Sequence, residues 1–238
     1  MWAAEIRKVL HSVLEAHGDR VHFRPASTGV AMVGLLHDRP QRGKSGLRDL
    51  EKVASELETL FSKHCRDVAH ERETGEKALQ SFLIRESYAS QRRIRPINVA
   101  SAATNEPVEL VFVTDEISLP VGVGDRIVCD VLALRRDGGR STPVLLELKD
   151  ARMLTRLVAQ VEGYAALVDE HADLFAALFG ALLGENLQFD GPTEKWIVWP
   201  AAGDRRDPRD DELRARNIRV VGYTEAGEGS FEMRVSDR

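Results

Sequence analysis

The sequence predicts a mixed α/β fold, and three observations carry that expectation. Apolar strand candidates follow one another at 108–113, 127–134 and 144–148, with the turn signal Asp137-Gly138-Gly139 between the last two. A helically periodic segment follows at 154–168, with Leu154, Leu157, Val158, Val161, Ala165 and Val168 on one stripe. Strand-like runs then return at 195–199 and 218–223. The order is helix, three strands, helix, strand, and its initial meander departs from a regular doubly wound fold.

Taken from the start, residues 2–17 predict a short amphipathic helix with Ile6, Val9, Leu10, Val13 and Leu14 on one side, ended by Gly18-Asp19. Residues 21–36 are β-branched and apolar but broken by Pro25 and Gly29, which predicts two short strands. The stretch 38–46, rich in Arg, Pro and Gly, predicts a loop. A long helical pattern then runs from Leu47 to about Arg92, through Leu50, Val53, Leu57, Leu60 and Phe61, and is broken or kinked at Gly75. A second helix restarts at Glu76 and continues through Leu79, Phe82 and Leu83. Residues 1–70 are therefore expected to form an N-terminal α/β extension that could support a homodimer or bind a partner, and 71–238 the principal domain. In that domain 144–148 is nearly all apolar, as in a strand buried on both faces. Residues 174–183 continue helical, and a short polar helix is expected at 210–216.

At 238 residues the chain accommodates one large domain, or one domain with a sizeable extension. Its formal charge of -5 disfavours general adhesion to nucleic acid, so a nucleic-acid enzyme of this composition needs a local basic groove. Cys65 and Cys129 lie in a helical pattern and an apolar run, which argues against a disulfide framework. The first residues lack the apolar core of a signal peptide, and the longest apolar stretch, 172–184, is too short and interrupted to span a bilayer. The expected setting is a reducing cytoplasm with no membrane partner.

Two strands carry charges that need an explanation. Asp130 is a lone acid in the apolar run 127–134, and Glu147 and Lys149 end the apolar strand 144–148. Burying an unpartnered charge is unfavourable. Side chains alternate along a strand, so Glu147 and Lys149 point to one face, and a hairpin through Asp137-Gly138-Gly139 lets Asp130 lie beside Glu147. Two adjacent carboxylates repel unless a divalent cation sits between them, and hard oxygen ligands suit Mg²⁺ or Mn²⁺. Lys149 would then orient or help deprotonate a water, or stabilise charge on a phosphate. Such a set can run metal-assisted phosphodiester hydrolysis. The plainer reading is a solvated strand end with Asp130 as a salt-bridge partner.

Asp130 followed by Glu147-Leu148-Lys149 resembles the PD-(D/E)XK nuclease superfamily, and Gln160-Val-Glu-Gly-Tyr164 resembles the QxxxY helix of its RecB-like, lambda-exonuclease-like and NucS-like branch. The resemblance covers roughly 76–223. It implies a restriction-endonuclease-like core of α-βββ-α-β order, with a mixed central sheet flanked by helices. It also implies a divalent-metal-dependent nuclease acting on DNA more readily than RNA. Asp130 and Glu147, with the Leu148 carbonyl, would hold the metal. Gln160 and Tyr164, one helical turn apart, would shape the site. The family often adds a glutamate from the preceding helix; Glu76 fits that role best, with Glu86 as the fallback. Cys129 stands where the family's proline would be. Arg152, Arg156 and Gln160 recur at four-residue steps, so the arginines would contact phosphates or form a solvated basic face. Arg92, Arg93 and Arg95 could line a groove, although charge runs are usually solvated. The competing function is a catalytically silent nuclease fold that binds nucleic acid or serves as a scaffold.

Other signals fail. Gly43-Lys44-Ser45 lacks the earlier glycine of a phosphate-binding loop, because Asp38 occupies that place. Gly122-Val-Gly124 lacks the third glycine of a dinucleotide fingerprint. His64 and His70 are wrongly spaced for a helical zinc pair. Trp196 and Trp199 are expected to pack rather than stack on bases. No serine sits in a nucleophile-elbow context.

Overall fold

The computed structural model describes residues 21–26, 29–36, 39–42, 75–95, 97, 99–100, 107–120, 126–154, 156–203, 207–227 and 230–235. The helices expected at 2–17 and from 47 to the break at Gly75 lie outside the described residues, and with them the dimerisation surface they would supply. Three strands of the extension are present: β1 (Val21–Ala26), β2 (Gly29–Leu36) and β3 (Arg39–Arg42). They form an antiparallel sheet in the order β1-β2-β3. The two predicted strands are therefore present, but part of the predicted 38–46 loop is strand β3. Pro40 hid it; β3 is an edge strand, where a residue lacking an N–H is tolerated.

The larger sheet starts from helix α1 (Glu76–Ala89) and comprises β4 (Val99–Ala100), β5 (Pro107–Pro120), β6 (Arg126–Asp137), β7 (Arg140–Leu148), β8 (Glu194–Pro200), β9 (Ile218–Gly227) and β10 (Ser230–Val235). Helices α2 (Leu157–Glu170) and α3 (Ala172–Leu183) connect β7 to β8, and α4 (Pro208–Ala215) connects β8 to β9. The strand order is β10-β9-β8-β7-β6-β5-β4. The meander β5-β6-β7 is antiparallel, β7-β8-β9 run parallel, and β10 returns antiparallel to β9. This is a mixed sheet with helices on its faces, as the order of elements predicted.

The β6–β7 hairpin sets the geometry that follows. Gly138 and Gly139 have φ of 57° and 86°, the double positive φ that a tight hairpin turn requires and that glycine adopts without strain. The turn pairs Asp137 with Arg140 and runs the ladder in register to Val131–Leu146. β7 is the central strand, and residues 142–148 are all buried.

Alternate residues of these strands feed different layers. Val131, Ala133, Val144 and Leu146 pack with Leu79, Phe82 and Leu83 of α1. Leu132, Leu134 and Leu145 pack with Tyr164, Val168 and Phe179 of α2 and α3. A third cluster joins Leu157 and Val161 of α2 to Ile197 and Trp199 of β8 and Leu213 of α4. Among the described residues, no helix is long and apolar enough to cross a membrane.

Three boundaries differ from expectation. β5 runs on to Pro120 because an irregularity between Phe112 and Thr114 shifts the side-chain alternation, so its second half no longer reads as one strand with its first. β10 was not expected; its polar Ser230, Glu232 and Arg234 face outward on an edge. Helix α2 begins at Leu157, so Arg152 and Leu154 precede it. The four-residue spacing therefore does not place Arg152 on the Gln160 side of a helix.

Candidate active site

The hairpin register, continued by one residue, sets Asp130 opposite Glu147, but the backbone ladder stops at Val131–Leu146. Beyond it β6 stays with β5, out to Arg126–Pro120. β7 stays with β8, and Lys149 N donates to Val198 O at 2.8 Å. The sheet thus splits between β6 and β7. The Asp130 carboxylate fills the gap by accepting the Leu148 N–H at 2.8 Å, a donor the ladder no longer satisfies.

Glu147 lies in this crevice, 3% exposed. Its Oε1 accepts from Lys149 Nζ at 2.9 Å and from Gln160 Nε2 at 2.8 Å. Gln160 Nε2 also donates to Val128 O at 2.9 Å, so this one amide spans the split from β7 to β6. Lys149 Nζ lies 3.4 Å from Glu76 Oε1 and 3.8 Å from Asp130 Oδ2, and donates to the Leu148 carbonyl at 2.8 Å. Three carboxylates, from α1, β6 and β7, thus face one ammonium.

The charges respond accordingly. Burial, reinforced by the Asp130 carboxylate, pushes the Glu147 carboxyl up to about 7. Burial also raises Asp130, against the lowering effects of the Leu148 N–H and Lys149. For Lys149, burial works against the charge, but Glu147 and Asp130 outweigh it and hold the ammonium above its ordinary value. In this arrangement Lys149 keeps its proton, and Glu147 is the group that titrates near neutrality.

The remaining residues sort clearly. Tyr164 is 1% exposed, its hydroxyl donates to Ile117 O at 3.2 Å and so ties α2 to β5, and burial raises its phenol, with Cys129 and Glu147 adding to the rise. Glu86 does not join the cluster; its carboxylate lies 3.8 Å from Arg85. Arg156 is exposed at the N-cap of α2 with φ of 62°. Arg152 is engaged inside the protein. It pairs with Asp207 at 2.8 Å and with Asp210, donates to Pro200 O at 2.7 Å, and lies 4.4 Å from the Trp199 ring centroid. Arg92 stacks on Tyr88 and donates to Val113 O, and Arg93 pairs with Glu109. Trp196 and Trp199 are fully buried, as packing residues.

Two features add to the expected break at Gly75 and helix start at Glu76. Gly75 begins α1 with φ of 62°, and a Cβ there would lie 2.5 Å from Asp150 Oδ2. This close approach brings Glu76 beside Lys149. The second is Gln80, one turn further along α1, which bonds the Asp130 carbonyl at 3.2 Å. A buried amide on a helix otherwise rich in charge was the available signal.

Among the described residues, no group of three or more His, Cys, Asp or Glu side chains stands arranged to hold a metal ion; Lys149 Nζ takes the central place. The donor chemistry nevertheless fits a hard cation. Asp130, Glu147 and the Leu148 carbonyl offer oxygens only, and the Asp130 charge that adds to the effect of burial on Glu147 is one a divalent ion would neutralise. In comparisons with known proteins, no family model, no curated protein and no solved structure matches the chain.

Proposed function

We propose that this chain is a divalent-metal-dependent nuclease of the PD-(D/E)XK kind, with a restriction-endonuclease-like core, acting on phosphodiester bonds of DNA in the cytoplasm. The observation that carries the reading is the meeting of Asp130, Glu147 and Lys149 at the split between β6 and β7, with Gln160 bridging the gap. A strand-borne acid pair with a lysine, at a point where backbone pairing gives way, is a built crevice rather than a solvated strand end.

Asp130, Glu147 and the Leu148 carbonyl would hold Mg²⁺ or Mn²⁺, which, when bound, activates water and polarises the phosphate. Lys149, kept protonated by its acidic neighbours, orients the attacking water and stabilises charge building on the phosphoryl oxygens. Gln160 fixes the Glu147 carboxylate by hydrogen bonding one of its oxygens. Tyr164 anchors the helix that carries Gln160, and Glu76 closes the α1 side. Of the two arginines expected beside the site, Arg156, exposed one turn before Gln160, is the one placed to meet a phosphate.

Purified protein is expected to cleave labelled DNA with Mg²⁺ or Mn²⁺ and to stop on addition of EDTA. Lys149→Ala cleaving as fast as wild type would refute this mechanism. The ammonium at the centre of the carboxylates favours one second reading, a silent nuclease fold whose charges are already internally balanced. Calorimetry separates the two, since a scaffold binds no Mn²⁺ through Glu147.

A further inference from the structure

Gln80 is 4% exposed on the inner face of α1, and both ends of its amide are used. Lys77 Nζ donates to its Oε1 at 2.9 Å. Its Nε2 donates to Asp115 Oδ2 at 3.1 Å and to the Asp130 backbone carbonyl at 3.2 Å. Lysine only donates and the other two partners only accept, so the amide has one possible orientation. Glutamate lacks the donors for this position and methionine lacks every polar atom. Asp115 is 0% exposed, a carboxylate that needs a donor where it stands.

Gln80 also has a counterpart on the other layer. Where β6 leaves β7, the Val128 carbonyl is held by Gln160 of α2 and the Asp130 carbonyl by Gln80 of α1. Two glutamines, one from each helical layer, thus hold backbone carbonyls of β6 where it leaves β7.

We propose that Gln80 is a positioning residue for the metal-binding acids. It clamps the Asp130 backbone to α1 one turn from Glu76, so that the Asp130 and Glu76 carboxylates keep a set separation around Lys149. The proposal rests on the nuclease reading of the same site.

The test uses full-length protein with Gln80→Met, which keeps the length of the side chain, and Gln80→Asn, which keeps the amide but shortens its reach. Ser87→Ala is the control, because Ser87 is buried on α1 and its hydroxyl donates to Leu83 O within the same helix. Mn²⁺ affinity is measured by calorimetry and by the electron paramagnetic resonance signal of free Mn²⁺, alongside melting temperature. Loss of a residue that orients ligands weakens metal binding about ten-fold or more. Both Gln80 variants should show that loss, and Ser87→Ala should bind Mn²⁺ as wild type even where it melts earlier. Either Gln80 variant, folded and binding Mn²⁺ at wild-type strength, overturns the proposal. So does an equal loss in Ser87→Ala, because the effect would then follow α1 stability alone. Wild type that binds Mn²⁺ while Glu147→Gln does not would leave the nuclease reading standing in either case. Wild type that binds no Mn²⁺ would remove both.

Discussion

Replacing Glu147 by glutamine should make the metal-free protein more stable at alkaline pH while disabling it. The folded carboxyl is lifted from an ordinary 4.5 to about 7, first by burial and then by Asp130. Between those values the unfolded chain has released its proton and the folded chain still holds it. The unfolded state therefore binds fewer protons, and stability falls as pH rises through this window. The contribution is intact below about 4.5 and lost above about 7. Since each pKa step is worth about 1.4 kcal/mol, the full loss is on the order of 3 kcal/mol. Glutamine is neutral throughout and has no such loss. Its Oε1 can still accept from Gln160 and Lys149, and Lys149 keeps Asp130 and Glu76 as partners. In EDTA, wild type and Glu147→Gln should melt close together at pH 4.5. At pH 8 the variant should melt roughly 5–10 °C higher, given a few degrees per kcal/mol for a protein of this size. Saturating Mn²⁺ should raise the wild-type melting temperature and leave the variant unmoved. A gap independent of pH, or a variant less stable than wild type at pH 8, would refute the claim that burial and Asp130 hold the Glu147 carboxyl above its ordinary value.

Lys149→Ala should lose about 10²-fold or more in cleavage rate at saturating metal, the usual loss when a charge stabiliser is removed, read in a single-turnover assay. Gly75→Ala should destabilise the fold by about 1–2 kcal/mol, because alanine is strained at positive φ and its Cβ meets Asp150; pairing it with Asp150→Gly should recover only the steric part in a urea melt. Arg152→Ala should cost about 3 kcal/mol, as removing one partner of a buried ion pair does, by leaving Asp210 and one side of Asp207 unmatched. A phosphate-binding arginine would instead flatten the salt dependence of DNA binding by about one ion, which a titration over salt concentration distinguishes. The Asp207 carboxyl is held well below the usual range, chiefly by its bonds to Arg209. Its stabilising effect is present above the ordinary carboxylate value and is lost as pH falls, so an acid melt should find this clamp among the last carboxylate contacts to fail.

The parts of the fold that the sequence revealed are those where one local rule acts without interference. Gly138-Gly139 fixes a two-residue turn, the turn fixes the register, and that register, continued by one residue, puts Asp130 across from Glu147. Helical periodicity located α2 within three residues of its start, but not its first residue, because Leu154 packs beside the same cluster without being helical. What stayed hidden depends on interactions between distant segments. The Phe112–Thr114 irregularity erased the alternation of β5, and the parting of β6 from β7 leaves no mark in either strand. Arg152 looked like a surface charge because Asp207 and Asp210, its partners, lie more than fifty residues downstream.

The split strands explain why acid, lysine and glutamine belong together here. An intact ladder at this point would satisfy the Leu148 N–H from the backbone and leave the Asp130 carboxylate without that bond. Parting the strands orphans the Leu148 N–H, and the Asp130 carboxylate satisfies it, so the acid is fixed by the same event that opens the crevice. The opened edge must then be kept from closing or fraying. Gln160 does so from the α2 side, with one amide nitrogen reaching the Val128 carbonyl and Glu147 together. Tyr164, one turn deeper, holds that helix to β5, the strand β6 follows as it departs. The Gln-x-x-x-Tyr spacing therefore has a mechanical meaning. Its first residue bridges the two halves of the divided sheet, and its second fixes the bridge to the half that moves away. Lys149 faces three converging carboxylates, yet burial, with Asp130 beside it, still leaves Glu147 only partly ionised at neutral pH. A crevice held open by glutamines, with three carboxylates around one ammonium, is the geometry on which the proposed cation site rests.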